Sequence, residues 1–352
     1  MLKRTPLYDA HVSLGAKLAP FAGWEMPISY EGTVSEHLHV RERVGLFDVS
    51  HLGKLLVRGD GAAAFLDSQL SNRMSDLQRG RARYTLILND DGGIIDDLIV
   101  YAVAPDELLV VPNAANMEAV AARLEGDVSA GVEVARPDWT TLAVQGPAAP
   151  GILDALFPIA KDLPYMHVAR DDEIVIARSG YTGERGFEVF TTAAGARAIW
   201  DDLLERVRAA GGGPVGLAAR DTLRLEMGYP LHGNDIDETT RPDEAGLMWA
   251  VKLEGRSFRG ADALRDATPE RALVGLRMTD RLIPRRGCAV LAGEDQVGEC
   301  TSGTFSPTLK VGIAMAYVAS EEAGRPELTV DVRGKHGRAE VVQPPFVDRS
   351  PR

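Results

Sequence analysis

Two adjacent carboxylates stand inside an apolar run, Ile94-Ile95-Asp96-Asp97-Leu98-Ile99-Val100-Tyr101. Side chains alternate along a strand, so Asp97 shares a face with Ile95, Ile99 and Tyr101, and Asp96 shares the other with Ile94, Leu98 and Val100. Both faces are otherwise apolar, which puts at least one carboxylate in a dry setting. A buried carboxylate is costly and is kept with a partner or a task. Pairing with nearby arginines or with the hairpin turn is the structural alternative, and spacing alone leaves both open. Arg220 and Arg224 lie one helical turn apart in Leu217-Ala218-Ala219-Arg220-Asp221-Thr222-Leu223-Arg224-Leu225-Glu226. Like charges at that spacing repel unless an anion or carboxylate sits between them, and a guanidinium favours a bidentate carboxylate. Intramolecular pairing with Asp221, Glu226 or another acid explains them equally well. The stretch 178–188 is rich in glycine and polar groups, which suggests a tight loop where backbone approaches something closely. It lacks the spacing and the Lys-Ser/Thr of a phosphate-binding loop.

Other features are weaker. His37 and His39 fall on different faces of their helix and make poor joint metal ligands. Asp48, Ser50 and His51 carry triad-type groups, but such near neighbours rarely reach triad geometry. Cys288 and Cys300 are too few for a disulfide framework or a cysteine-rich zinc site and read as thiols in a reducing compartment. No metal site is expected.

The elements that must position these groups follow from the pattern. Thr33-Val34-Ser35-Glu36 reads as a capping box opening a helix that ends near Gly45. Strands are predicted at 54–58, 84–88, 94–103 and 107–111, with a hairpin turn over 89–93. Asp60 is predicted to cap a helix over 62–69. Asn113 is predicted to cap another, whose Met117, Val120, Ala121 and Leu124 fall on one face. Strands at 140–144, 173–177 and 186–190 and helices at 194–209 and 217–227 follow. After about residue 262 the pattern changes to short strands at 272–278, 296–300, 312–318, 328–332 and 338–342, which suggests a small antiparallel barrel or sandwich. The class is α+β, with a β-rich C-terminal domain.

The chain has 352 residues, 45% hydrophobic and 26% charged, the make-up of a globular protein with a large core rather than of a disordered or fibrous one. Its 39 basic and 51 acidic residues give a net charge of -12, which disfavours nucleic acid and anionic membranes as partners. No apolar stretch is long enough to span a membrane, the start does not resemble a secretory signal, and the expected location is cytoplasmic.

Taken together, the segments resemble the aminomethyltransferase (T-protein) family of the glycine cleavage system over nearly the whole chain. The markers are Thr5-Pro6-Leu7-Tyr8, Phe21-Ala22-Gly23-Trp24-Glu25-Met26-Pro27, Gly45-Leu46-Phe47-Asp48-Val49-Ser50-His51 and Gly92-Gly93 followed by the aspartate strand. They continue with Gly180-Tyr181-Thr182-Gly183-Glu184, Gly216 followed by the two-arginine helix, and Thr301-Ser302-Gly303-Thr304-Phe305-Ser306-Pro307-Thr308-Leu309. The resemblance implies a three-domain cloverleaf, two mixed α/β lobes plus a small C-terminal antiparallel β-barrel, with folate in a central channel. The division it suggests is a folate-binding region over 1–262, with an internal boundary near 140, and a barrel over 263–352.

It also implies a reaction. An aminomethyl group carried on the lipoyl arm of a partner, the H-protein, passes its carbon to tetrahydrofolate, which becomes 5,10-methylenetetrahydrofolate, and ammonia and the dihydrolipoyl arm are released. By motif, the essential carboxylate maps to Asp97, facing the N10 side of folate, where it orients the nitrogens and stabilises developing positive charge. The matching folate positions are Tyr84, Tyr101, Val111, Asn113, Tyr165, Glu188 and Arg220. Tyr84 and Tyr101 would line the rings, Glu188 would accept from the pterin N–H donors, and Arg220 would meet polar folate groups or orient an acid. Two departures stand out: His232 where relatives often carry tyrosine, and Pro112, which removes a backbone donor where many have valine. The rivals are a folate-dependent demethylating module, which would accompany a flavin domain, and a non-transferase folate-binding maturation factor. The Lys-Gly-Cys-Tyr-x-Gly-Gln motif of the latter is absent.

Overall fold

A computed structural model describes residues 1–352. The chain forms two compact units, one of Met1–Ile87, Asp96–Arg220 and Ser350–Arg352, the other of Leu88–Ile95 and Asp221–Arg349.

The first unit holds two main sheets. One orders its strands Ala82–Leu88, Ile94–Ala104, Glu107–Val111, Leu55–Arg58 and Glu133–Ala135. The other orders Val168–Asp171, Ile174–Ala177, Gly186–Thr192, Trp139–Gln145, Gly45–Asp48 and Gly213–Pro214. Alternation along the strands of this second sheet feeds two cores. Val175, Ala177 and Phe190 pack with Leu56, Tyr101 and Leu109 of the first sheet. Their neighbours Ile176 and Val189 pack instead with Leu46, Val144 and the helices Ala149–Leu156 and Ala196–Ala209. The latter helix turns Trp200, Leu203, Leu204 and Val207 inward at helical spacing. Trp200 is fully buried, so truncating it to alanine removes about 3–5 kcal/mol of stability.

Glu36 ties two helices into this unit. Its Oε1 accepts from the backbone N–H of Tyr30, Glu31 and Gly32, and its Oε2 from that of Gly216, one residue before the helix Leu217–Glu226.

The second unit contains a closed six-stranded barrel of Arg271–Met278, Val311–Ala319, Asp295–Ser306, Ala289–Ala292, Glu327–Val332 and Lys335–Val342, the last pairing back onto the first. All its pairings are antiparallel. Inward residues such as Leu276, Val290, Ala316 and Val330 form its core. Cys300 lies in that core, where burial pushes its thiol up to about 12, and both cysteines are free.

The structure corrects three caps. Gly32, Gly61 and Asn116, not Thr33, Asp60 and Asn113, precede the helices Thr33–Glu42, Ala62–Gln69 and Met117–Gly126. The first of these three helices stops at Glu42, and Gly45 begins a strand. The hairpin of Lys17–Phe21 and Trp24–Ser29 was not expected; Ala22 and Gly23 both take positive φ in its two-residue turn. No helix is long and apolar enough to cross a membrane, and no group of three or more His, Cys, Asp or Glu side chains is arranged to hold a metal ion.

Candidate active site

The aspartate pair sits where the pattern puts it, in the strand Ile94–Ala104. The two faces differ. Asp96 is fully buried, whereas Asp97 is half-buried. Asn113, just past the neighbouring strand Glu107–Val111, reaches back across both acids. Its side-chain Nδ2 donates to Asp96 Oδ1 at 2.8 Å and to Asp97 Oδ1 at 2.9 Å, and its backbone N–H donates to Asp96 Oδ2 at 2.9 Å. Asn116 Nδ2 adds a bond to Asp96 Oδ1 at 2.7 Å. Tyr84, on the adjacent strand Ala82–Leu88, donates its hydroxyl to Asp97 Oδ2 at 3.0 Å. Burial, with Asp97 alongside, pushes the Asp96 carboxyl up to about 7. Burial and then the Asp97 charge raise the Tyr84 phenol well above its ordinary value, so it remains a donor.

A second polar group centres on Glu188, in the strand Gly186–Thr192. Its Oε2 accepts from Tyr101 at 2.9 Å and from the Ser179 hydroxyl. Tyr101 crosses from the other sheet, and its buried ring meets Phe190 edge-on. Ser179 comes from the glycine-rich loop, whose close approach proves to be to Gln145. Added side chains at Gly180 or Gly186 would strike the Gln145 amide, which is bonded to Ser179 O and to the Thr182 hydroxyl. Tyr165 is half-buried, and burial, then the Glu188 charge, raise its phenol against the pull of Arg352.

Arg220 stacks its guanidinium over Tyr181, 4.9 Å from the ring centroid. Its Nη1 is buried with no hydrogen-bond partner. Burial lowers its pKa, opposed by Glu188 and Tyr181. Arg224 is the contrary case: the ion pairs of Asp221 at 2.8 Å and Asp235 at 2.6 Å, with Ser302 and the Tyr229 carbonyl, account for it internally.

Of the sequence-derived positions, Tyr84, Asp97 and Asn113 are thus joined in one bonded group, and Tyr101 and Glu188 in another. Val111 pairs with Ile99, two residues on from Asp97. Val111, Asn113, Glu188 and Arg220 make no direct bond to one another. Pro112 keeps its carbonyl in use, accepting from Gly53. His232 bonds through its ring nitrogen to the Ile94 carbonyl at 3.0 Å. Asn116, Ser179 and Tyr181 escaped the sequence reading as site residues. The loop over 178–188 was the signal for two of them, while Asn116 had none.

Buried His51 also carries an unpartnered nitrogen, Nδ1. Burial pushes its imidazole down to about 3 against the pull of Asp48, with Arg220 and Lys54 acting in the same direction as burial.

The region thus holds a guanidinium nitrogen without a hydrogen-bond partner and a carboxylate fixed by Tyr84 and Asn113. Comparison with known proteins identifies the family. The GCVT N-terminal domain model matches residues 7–255, and the glycine cleavage T-protein C-terminal barrel domain model matches residues 271–348. An aminomethyltransferase from Mycolicibacterium paratuberculosis is 49% identical, covering 97% of this chain and 96% of its own length. One from a Parafrankia strain is 48% identical, covering 100% and 99%. The crystal structure of glycine cleavage system aminomethyltransferase T from Bartonella henselae superposes with a TM-score of 0.95 at 39% identity, over 99% of both chains. The chain belongs to the glycine cleavage T-protein family of aminomethyltransferases.

Proposed function

We propose that this aminomethyltransferase moves the methylene carbon of an aminomethyl group, borne on the lipoyl sulfur of an H-protein, onto tetrahydrofolate. The carbon–sulfur and carbon–ammonia bonds break, two carbon–nitrogen bonds form, and the folate's two N–H protons leave with the thiol and the ammonia. Folate supplies the two nucleophilic nitrogens; the chain's task is to hold them. The observation that carries the reading is Asp97, an acid on a half-buried face whose oxygens are fixed by Tyr84 and Asn113. A carboxylate so held stabilises positive charge next to it without reorganising. Glu188 Oε1 is the proposed acceptor for pterin N–H groups, and Arg220 Nη1 the proposed donor to folate oxygen. Tyr101, Tyr165 and Val111 are proposed to shape the folate surface. The family-model bounds support a folate-binding region over 1–262 and a barrel over 263–352.

The test is ammonia release from aminomethylated H-protein with tetrahydrofolate present. Wild type should turn over. Asp97→Asn should lower kcat by about 10²–10³-fold, the loss typical of removing a preorganised charge-stabilising group. Wild-type rates in that variant would sink the assignment of Asp97.

A further inference from the structure

We propose that Asp96 is a positioning residue that acts on the transfer step through Asn113, fixing the amide of that side chain with its NH2 towards Asp97 and its oxygen turned away. The inference deepens the proposed function and rests on it. An ionised carboxylate only accepts hydrogen bonds, whereas an asparagine amide donates from nitrogen and accepts at oxygen. Asp97 gives that amide two acceptors, its Oδ1 and its main-chain carbonyl. Asp96 adds a third and, unlike Asp97, also holds the Asn113 backbone N–H. Asp96 is fully buried, and all three of its bonds come from N–H groups: the Asn113 backbone, the Asn113 side chain and the Asn116 side chain.

The Asn113 backbone bond matters most for geometry. It anchors the Asn113 main chain to the same carboxylate that takes its side chain, so the residue is gripped at two points. The two side-chain hydrogens are then shared among Asp96 Oδ1, Asp97 Oδ1 and the Asp97 carbonyl, at 2.8, 2.9 and 3.0 Å. Turning the amide over would set its oxygen against three oxygens, two of them on carboxylates. Asp97 Oδ1 is thereby pinned in place, and its other oxygen is fixed independently by Tyr84. Placement of a charge to within a fraction of an ångström is what a carbon transfer between two bound partners demands. Asp96 therefore works at one remove, without touching the reacting atoms.

The experiment combines a double-variant cycle with a direct view of the amide, at pH 8, where Asp96 is ionised. Asp96→Asn, Asn113→Ala and the double variant are assayed for kcat, KM for tetrahydrofolate and thermal midpoint. If Asp96 acts through Asn113, Asp96→Asn lowers kcat at least tenfold with KM changed less than threefold. The double variant then falls within twofold of Asn113→Ala alone, because interacting residues are not additive. The ¹⁵N-resolved side-chain amide of Asn113, assigned by its loss in Asn113→Ala, should show two well-separated, slowly exchanging protons in wild type that collapse in Asp96→Asn. Multiplying effects, or an unchanged amide signal in a folded Asp96→Asn, overturn the inference. Should Asp96→Asn fail to fold, Asn116→Ala, which removes one donor and no charge, replaces it and should lower kcat about threefold with the same amide change; no change in either overturns the proposal. A wild type that binds folate yet releases no ammonia would defeat the proposed function, and the amide signal alone would then decide the role of Asp96.

Discussion

Arg220 and Arg224 share a helix, a residue type and a spacing of one turn, yet they have opposite surroundings. Arg224 is saturated by two aspartates, a serine and a carbonyl. Arg220 has a ring under it and a buried nitrogen with nothing to bond. Two histidines repeat the contrast. His11 uses both ring nitrogens, on Asp48 at 2.8 Å and on the Tyr30 hydroxyl at 2.9 Å, whereas His51 leaves Nδ1 unsatisfied. A buried polar group that folding alone has to support is normally satisfied by the fold. Arg220 and His51 depart from that rule, and the Arg220 charge helps to lower the His51 imidazole. Identical side chains thus divide into those the fold satisfies and those it leaves with a nitrogen unbonded.

This division can be broken experimentally. Arg224→Ala should have the largest effect, about 3–5 kcal/mol lost from unfolding stability, because it strands buried Asp235; an unmoved denaturation midpoint would erase the contrast. Arg220→Ala should leave that midpoint near wild type and instead weaken tetrahydrofolate binding by about 1.5–3 kcal/mol, the worth of a hydrogen bond from a charged donor. Calorimetry reads it, and an unchanged Kd would remove Arg220 from the folate surface. His51 sharpens the comparison through pH. Its folded pKa is depressed, so the native state resists the proton that the unfolded chain accepts below about 6.5. Stability is fully present above that pH and is lost as pH falls towards about 3. Between pH 6.5 and 5 this one group should account for about 1–2 kcal/mol of the loss, and His51→Gln should flatten the thermal-midpoint curve over that interval. The smallest change is Tyr101→Phe, which removes one of two donors to Glu188 Oε2 and, with the Ser179 hydroxyl still bonded there, should cost about 1.5 kcal/mol in stability or folate affinity, the lower end for a bond to a charged group.

How much of this was legible beforehand depends on the range of the forces involved. The aspartate strand was readable because period-two alternation is local, and from Ile94 to Val100 the buried and half-buried faces fell as the alternation requires, after which Tyr101, Ala102 and Val103 are all buried. The barrel was readable as a change of texture, although Ala289–Ala292 is too short to announce itself and was missed. The caps failed for a physical reason. A capping preference is worth about 1 kcal/mol, and charge-assisted bonds exceed it. Asn113 was read as a cap, and two carboxylates drew it away. Whether Arg220 or Arg224 would be saturated could not be read either, since Asp235 lies past the end of the helix, 11 residues on from Arg224, and Ser302 lies 78 residues away, and only the fold brings them to it.

Glu36 has a consequence for anyone mapping tolerance to mutation. Its single carboxylate gathers four backbone N–H groups, three at the entry to one helix and one at the threshold of the helix that carries Arg220. Neutralising it to glutamine keeps the bulk but turns one acceptor into a donor facing N–H groups. A saturation screen should therefore score position 36 alongside the proposed folate positions, and a variant there would mimic the loss of Arg220 while leaving that side chain intact.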